Sequence, residues 1–135
     1  MEVPAGFRLA PARGAFTDVN GPFYRTDDPD HPRFGFVAEQ RHCNGLGLVH
    51  GGMIATFLDS AMAQSLFDRH ARALVTVELA VRYERPGLKG RWLEADIRFP
   101  QAPLTETVTA EATLRLGRHI CAEAIGTYKL LNRRV

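Results

Sequence analysis

Long hydrophobic runs are missing from this 135-residue chain. No window approaches the roughly 18 uninterrupted apolar residues that a membrane-spanning helix needs. The opening residues Met1-Glu2-Val3-Pro4-Ala5-Gly6 lack the basic start and apolar stretch of a signal peptide. A cytoplasmic protein without a membrane partner is the expectation. Cysteine is scarce: Cys43 and Cys121 stand far apart and in no paired metal spacing, which argues against a zinc site or a disulfide framework and predicts two free thiols. Lysine is scarcer still for its class, with only Lys89 and Lys129 among 17 basic residues, and the net charge of +2 does not announce a nucleic-acid partner. The arginine-rich balance suits bidentate contact with phosphate. Also missing are a serine nucleophile elbow, a phosphate-binding loop, a dinucleotide glycine fingerprint and a His-Glu metal helix. Neither a metal nor a cofactor is expected.

What is present fits an ordinary globule. An apolar fraction of 45% and a charged fraction of 24% lie near the soluble average, and the length predicts a single domain over residues 1–135. Residues 1–33 are rich in Pro, Gly and Asp and read as an irregular arm with one short strand near Phe23. Phe34 to His42 alternates as a strand, and a glycine-rich turn over Gly45–Gly52 follows. From Gly51 to about Arg69 there is no proline. Met53, Ile54, Phe57, Leu58, Ala61, Met62, Ser65 and Leu66 recur there at helical spacing around most of the circumference, the pattern of a buried helix. Val75, Val77, Leu79, Val81 and Tyr83 then alternate with Thr76, Glu78, Ala80 and Arg82, predicting a strand with distinct faces. Strands are also predicted over Trp92–Phe99, Glu106–Leu116 and His119–Leu130, the last two joined by a tight hairpin at Gly117-Arg118. One helix followed by a four-strand meander has one good way to bury itself, against the concave face of the sheet. The predicted class is α+β, with an antiparallel sheet wrapped around one long central helix: the hotdog fold.

Three features of this pattern carry chemistry. Gly51 and Gly52 have no side chains to shield their amides, and the first amides of a helix lack internal partners. Such donors, reinforced by the helix dipole, polarise a carbonyl or hold an oxyanion. The alternative is that the glycines only permit a tight strand-to-helix turn. Asp59 lies within the apolar helix between Phe57-Leu58 and Ala61-Met62, where an unpaired carboxylate is costly to bury. It is a candidate general base or nucleophile, unless it faces water on a narrow polar stripe with Ser60. His50 just before the helix is an acid, a base or a residue that fixes the turn, and Asn44 is either a carbonyl partner or a plain turn residue. Thr76 offers a hydroxyl that could orient water, although threonine is also simply a good strand former.

Asn44, Gly47, His50-Gly51-Gly52 and then Asp59 nine residues after His50 resemble the signature of PaaI-like, phenylacetate-pathway-type hotdog thioesterases. The resemblance extends to Asn20-Gly21-Pro22-Phe23-Tyr24, to Val75-Thr76-Val77-Glu78-Leu79 and to Ala124-Ile125-Gly126-Thr127, hence to most of the chain after about Phe16. It implies hydrolysis of an acyl-CoA thioester in a site assembled across a dimer whose two sheets join edge to edge, in a homodimer or a homotetramer. By position, Gly51 would offer its amide to the thioester carbonyl with Asn44 assisting, and Asp59 would activate the attacking water or attack directly. Thr76 would orient that water, and His50 would orient and bind. Gly52 at the helix start and the basic Arg82, Arg85 and Lys89 are candidate substrate-binding residues, the last three toward the CoA phosphates. Two other readings are a hotdog hydratase or dehydratase and a non-catalytic acyl-CoA-binding module.

Overall fold

The computed structural model describes residues 2–102 and 105–134. Among these residues, seven strands and two helices follow in chain order: β1 (Arg8–Leu9), α1 (Ala15–Asn20), β2 (Tyr24–Arg25), β3 (Arg33–Val37), α2 (Gly51–His70), β4 (Arg72–Tyr83), β5 (Trp92–Arg98), β6 (Thr107–Leu116) and β7 (His119–Arg134). All strands form one antiparallel sheet in the order β1-β2-β3-β5-β6-β7-β4. The sheet curls around α2, the hotdog arrangement that the sequence predicts.

The composition of the concave face explains how the helix is accommodated. Ala95 of β5, Ala110 and Ala112 of β6, and Ala122 and Ala124 of β7 are buried where the strands pass beneath α2. Short side chains there let a helix some 10–12 Å across settle into the curve. The larger residues Phe36 and Leu114 of the sheet and Phe57, Leu58 and Met62 of α2 belong to the same buried core. Burying such side chains stabilises the fold by about 1.5–3 kcal/mol each. On α2 the buried set is Met53, Ile54, Phe57, Leu58, Ala61, Met62, Ser65 and Leu66, as the helical spacing predicts.

Four sequence expectations are corrected. The arm contains β1 and the short α1 besides the strand beside Phe23, and β1 and β2 extend the sheet from β3. The strand expected over Phe34–His42 ends at Val37, and Gln40–His42 form a 3-10 turn in which the buried His42 ring accepts from the Glu39 amide. The four-strand meander is instead a three-strand meander, β5-β6-β7, with β4 crossing over to pair with β7 at the sheet edge. Finally, β4 does not keep one face throughout. A bulge at Val77 leaves that residue without a partner between the Thr76–Tyr128 and Glu78–Thr127 pairs, and a single extra residue reverses the side-chain alternation beyond it. Leu74 and Thr76 before the bulge face α2, as do Leu79, Val81 and Tyr83 after it. Val75 and Val77 are left exposed, at 47% and 59%.

Candidate active site

The turn into α2 is built from residues close together in sequence. Asn44 folds the loop by accepting at Oδ1 from the amides of Leu46 (2.9 Å) and Leu48 (3.2 Å), while its own amide donates to the Leu48 carbonyl at 2.8 Å. This is the Asx-type turn its short side chain favours. The acceptor of Asn44 is thereby committed to the loop, and its NH₂ donors have no protein partner among the described residues. The loop is tied to the segment before β5, with the Val49 amide donating to the Gly87 carbonyl at 2.9 Å and Leu48 bridging to Leu88.

His50 caps the helix. Its Nδ1 accepts from the Gly52 amide at 2.8 Å, and its own amide donates to the His42 carbonyl at 2.9 Å. A β-carbon on Gly52 would stand 3.0 Å from that Nδ1, so glycine gives the imidazole room to reach its acceptor position. The Gly52 amide is therefore committed to the cap. The amides of Met53 and Ile54 are taken by the His50 carbonyl. Gly51 is left as the one amide of this first turn with no acceptor among the described residues, and it is exposed. The Tyr83 hydroxyl donates to the Gly51 carbonyl at 2.6 Å and pins that peptide from the β4 side.

Eight residues further along α2, Asp59 is half-buried and directed at β4 and β7. Its Oδ1 accepts from the Thr76 hydroxyl at 3.0 Å and from the Tyr128 hydroxyl at 2.9 Å. Thr76 and Tyr128 are directly opposite one another across the β4–β7 ladder, so a single cross-strand pair clamps one carboxylate oxygen and leaves Oδ2 free to act. Tyr128 is wholly buried. Burial pushes its phenol well above the ordinary tyrosine range, and the Asp59 charge and hydrogen bond push it further the same way. The phenol therefore stays protonated and donates. The Tyr128 ring lies over Gly126, where a β-carbon would meet the hydroxyl at 2.6 Å.

The sequence singles out Asn44, His50, Gly51, Gly52, Asp59 and Thr76, and the structure sorts them into two groups. Asn44, His50, Gly51 and Gly52 form the helix mouth; Asp59 and Thr76 form the acid clamp. Tyr128 is the member of the clamp that sequence reasoning missed. Its one signal is Gly126 two positions earlier on the same strand face, a gap among core residues that a ring can cover. His42 was also missed: it is buried, burial lowers its pKa, and Nε2 hydrogen-bonds the Asn20 carbonyl at 2.8 Å while its own carbonyl holds His50. Of the basic candidates, Lys89 is on the Gly87–Gly90 turn bonded to the mouth loop, and Arg85 follows β4 at the mouth end, with Nη1 at 3.2 Å from His119 Nδ1. Arg82 lies on the sheet face turned away from α2, in a shallow groove with Arg98, Glu111 and Glu123. No group of three or more His, Cys, Asp or Glu side chains suited to a metal occurs among the described residues, and no helix there is long and apolar enough to cross a membrane.

Comparison with known proteins agrees with this architecture. Residues 46–102, from the mouth loop through α2 and β4 to β5, match the Thioesterase superfamily. A Pseudomonas aeruginosa protein, PA0474, provisionally named an esterase, is 29% identical over 133 residues, 96% of this chain and 98% of its own length. The Escherichia coli PaaI protein from the phenylacetic acid degradation operon superposes with a TM-score of 0.80 at 18% identity, over 90% of this chain and 88% of that one. The Streptococcus mutans protein smu.793, solved with acetyl CoA bound, superposes with a TM-score of 0.73 at 19% identity, over 100% and 96% of the two chains. This is a hotdog-fold protein, PaaI-like in architecture, whose mouth loop, central helix and adjoining strands carry the thioesterase-superfamily match.

Proposed function

We propose that the protein hydrolyses acyl-CoA thioesters, in active sites that each take Asp59 from one copy of the chain and the Gly51 amide from another. The observation that carries this reading is the pair of functional groups left uncommitted on α2: the Gly51 amide, and the free oxygen of an Asp59 carboxylate held on its other oxygen by Thr76 and Tyr128. Thioester hydrolysis needs one polarised carbonyl and one activated water. The superfamily match and the acetyl CoA bound to the Streptococcus relative support a CoA thioester as the substrate.

One chain does not suffice. Gly51 and Asp59 are eight positions apart on the helix, about 12 Å along the axis, whereas reacting atoms must come within about 3–3.5 Å. The edge strand supplies a means of joining two copies. Antiparallel pairing of β4 with a second β4 about a two-fold axis at Ala80 sets Leu79 opposite Val81 of the second copy. With Val77 bulged out, it sets Thr76 opposite the second copy's Tyr83. Thr76 touches Asp59 and Tyr83 touches Gly51, so this register brings the acid of each copy beside the helix mouth of the other. It also sets Glu78 opposite Arg82 of the second copy, twice over, and opposite charges facing across strands favour pairing. Arg82 thus serves the interface, while Arg85 and Lys89 near the mouth are the side chains available to the CoA phosphates.

In the resulting site, the Gly51 amide and the Asn44 NH₂ polarise the thioester carbonyl. Asp59 Oδ2 takes a proton from water as its oxygen bonds to the carbonyl carbon. The oxyanion rests on the Gly51 N–H and the positive end of the helix dipole. Its collapse breaks the C–S bond and expels CoA thiolate, which receives the proton that Asp59 acquired. The products are the free acid and CoA thiol.

Two individually crippled variants test both parts. Gly51→Pro deletes the N–H at a position where proline is tolerated in a helix, and Asp59→Asn deletes the base. With thiol release from a panel of acyl-CoA thioesters as the readout, each variant alone is expected to lose at least a hundredfold in kcat. Their co-refolded mixture is expected to recover activity, because each mixed pair contains one intact site. Wild-type rates at the uncatalysed background sink the hydrolase reading; active wild type without recovery in the mixture sinks the shared site.

A further inference from the structure

We infer that the cavity of about 310 Å³ between α2 and the N-terminal arm is the acyl-binding pocket, shaped for a medium-length apolar acyl chain. The inference rests on the thioesterase reading and specifies its substrate. Two lines lead into this cavity from the Asp59 carboxylate. Along α2, Ala63 and Phe67 stand one and two turns beyond Asp59 on the same side of the helix, and both line the cavity. Along β4, Leu74 is the next residue on the Thr76 face, and it also lines the cavity. A thioester whose carbonyl sits at Asp59 Oδ2, with its CoA portion toward the neighbouring helix mouth, has its acyl group pointing this way.

The far wall is apolar, formed by Phe23 and Phe34. The roof is tied down by a chain of polar contacts. Arg13 on the arm donates from Nε to Gln64 Oε1 at 2.6 Å and lies 4.6 Å over the Phe67 ring. Gln64 Nε2 donates to Asp68 Oδ1 at 2.9 Å, and Asp68 Oδ2 pairs with the mostly buried Arg25 at 2.7 Å. Gln64 thereby has both ends of its amide engaged, and Phe67 has a cation stacked on its ring. The catalytic scheme requires none of these contacts, yet they border a largely apolar space at its shoulder. The volume sets the occupant: small-molecule pockets run from about 300 to 1,000 Å³. At the low end of that range, an acetyl group leaves most of the space unfilled and a palmitoyl chain exceeds it.

The test compares hydrolysis of acetyl-, hexanoyl- and palmitoyl-CoA by the full chain. Wild type is expected to show its highest kcat/KM with hexanoyl-CoA. Ala63→Phe, which fills the cavity, is expected to lower the hexanoyl-to-acetyl ratio of kcat/KM at least tenfold, and Phe67→Ala, which enlarges it, to raise the palmitoyl-to-hexanoyl ratio. The opposite signs keep the test decisive if one variant folds poorly. Ratios that stay at wild-type values in a folded variant overturn the pocket assignment. If no thioester is hydrolysed, the thioesterase reading fails by itself, and the pocket is then judged by affinity. Tighter binding of hexanoyl-CoA than of CoA, with the gain lost in Ala63→Phe, upholds the cavity as an acyl site, and equal affinities overturn it.

Discussion

The helix mouth and the acid clamp lie on one helix, yet they are assembled by different means. The side-chain bonds of Asn44 and His50 that shape the entry to α2 span at most four residues, and longer links run to His42, Gly87, Leu88 and Tyr83. The clamp on Asp59 joins residues 17 and 69 positions apart. The mouth is thus a product of local turn chemistry, and the clamp exists only once the crossover has laid β4 beside β7. Damage to the mouth is expected to appear first as lost helix stability, whereas damage to the clamp is expected to appear as lost rate in a protein that still folds.

Tyr128→Phe is the sharpest way to break that distinction, and its expected effect exceeds those of changes at His50 and His42. It removes one donor from Asp59 and retains the ring in the core. Hydrogen bonds to charged groups are worth about 1.5–3 kcal/mol, which corresponds to roughly a ten- to hundredfold fall in kcat/KM. Because the ring volume is conserved and Asp59 is only half-buried, the thermal midpoint is expected to move little. Gly126→Ala is expected to act in the same direction without deleting the hydroxyl, since its new methyl group would meet that oxygen at 2.6 Å. Wild-type kinetics in both variants, measured by thiol release, exclude a positioning role for Tyr128.

The same division governs what could be read in the sequence. The buried face of α2 and the residues of its mouth were legible because helical spacing, an Asn-Gly turn and a His-Gly-Gly cap act within one or two turns of chain. Asp59 was legible as an anomaly, a carboxylate set among apolar residues. Its partner Tyr128 was not, since nothing within ten residues of that strand position refers to Asp59. The bulge at Val77 was equally hidden: Val75 to Tyr83 alternates without a glycine or proline to mark a break, yet the exposed Val75 and Val77 belong to a different face from Leu79 and Val81. The crossover that puts β4 at the sheet edge depends on which strands compete best for β7, and alternation within β4 does not encode that choice.

His50 sharpens the comparison from the mouth side. As a cap it contributes one hydrogen bond, from the Gly52 amide to Nδ1, and His50→Ala is expected to lower stability by about 1 kcal/mol. His50→Asn, which supplies another good cap acceptor, is expected to restore most of that loss and to keep activity near wild type. Thermal denaturation of the two variants beside their thiol-release rates decides the point. Should His50→Asn regain stability but remain more than a hundredfold slower, the imidazole takes part in proton transfer and the cap is only half of its role.

The smallest expected effect is the pH response of the support beneath the mouth. His42 is buried, and that burial lowers its pKa from the ordinary 6.5, with Arg41 adding to the effect and hydrogen bonds to the Asn20 and Gly21 carbonyls opposing it. His70 is lowered in the same direction by burial and by Arg69 and Arg72. A histidine whose folded pKa lies below its unfolded value binds more protons when unfolded. Its contribution to stability is therefore complete above about pH 6.5 and is lost as the pH falls from there through the depressed folded value. Unfolding free energy is expected to rise with pH across this window. The slope is expected to be shallower in His42→Gln, which retains a carbonyl that can accept from the Glu39 amide but cannot titrate. Denaturant midpoints at several pH values measure this directly. An unchanged slope in the variant assigns the response to His70 and to the carboxylates, and leaves His42 as a mouth support that does not titrate in this range.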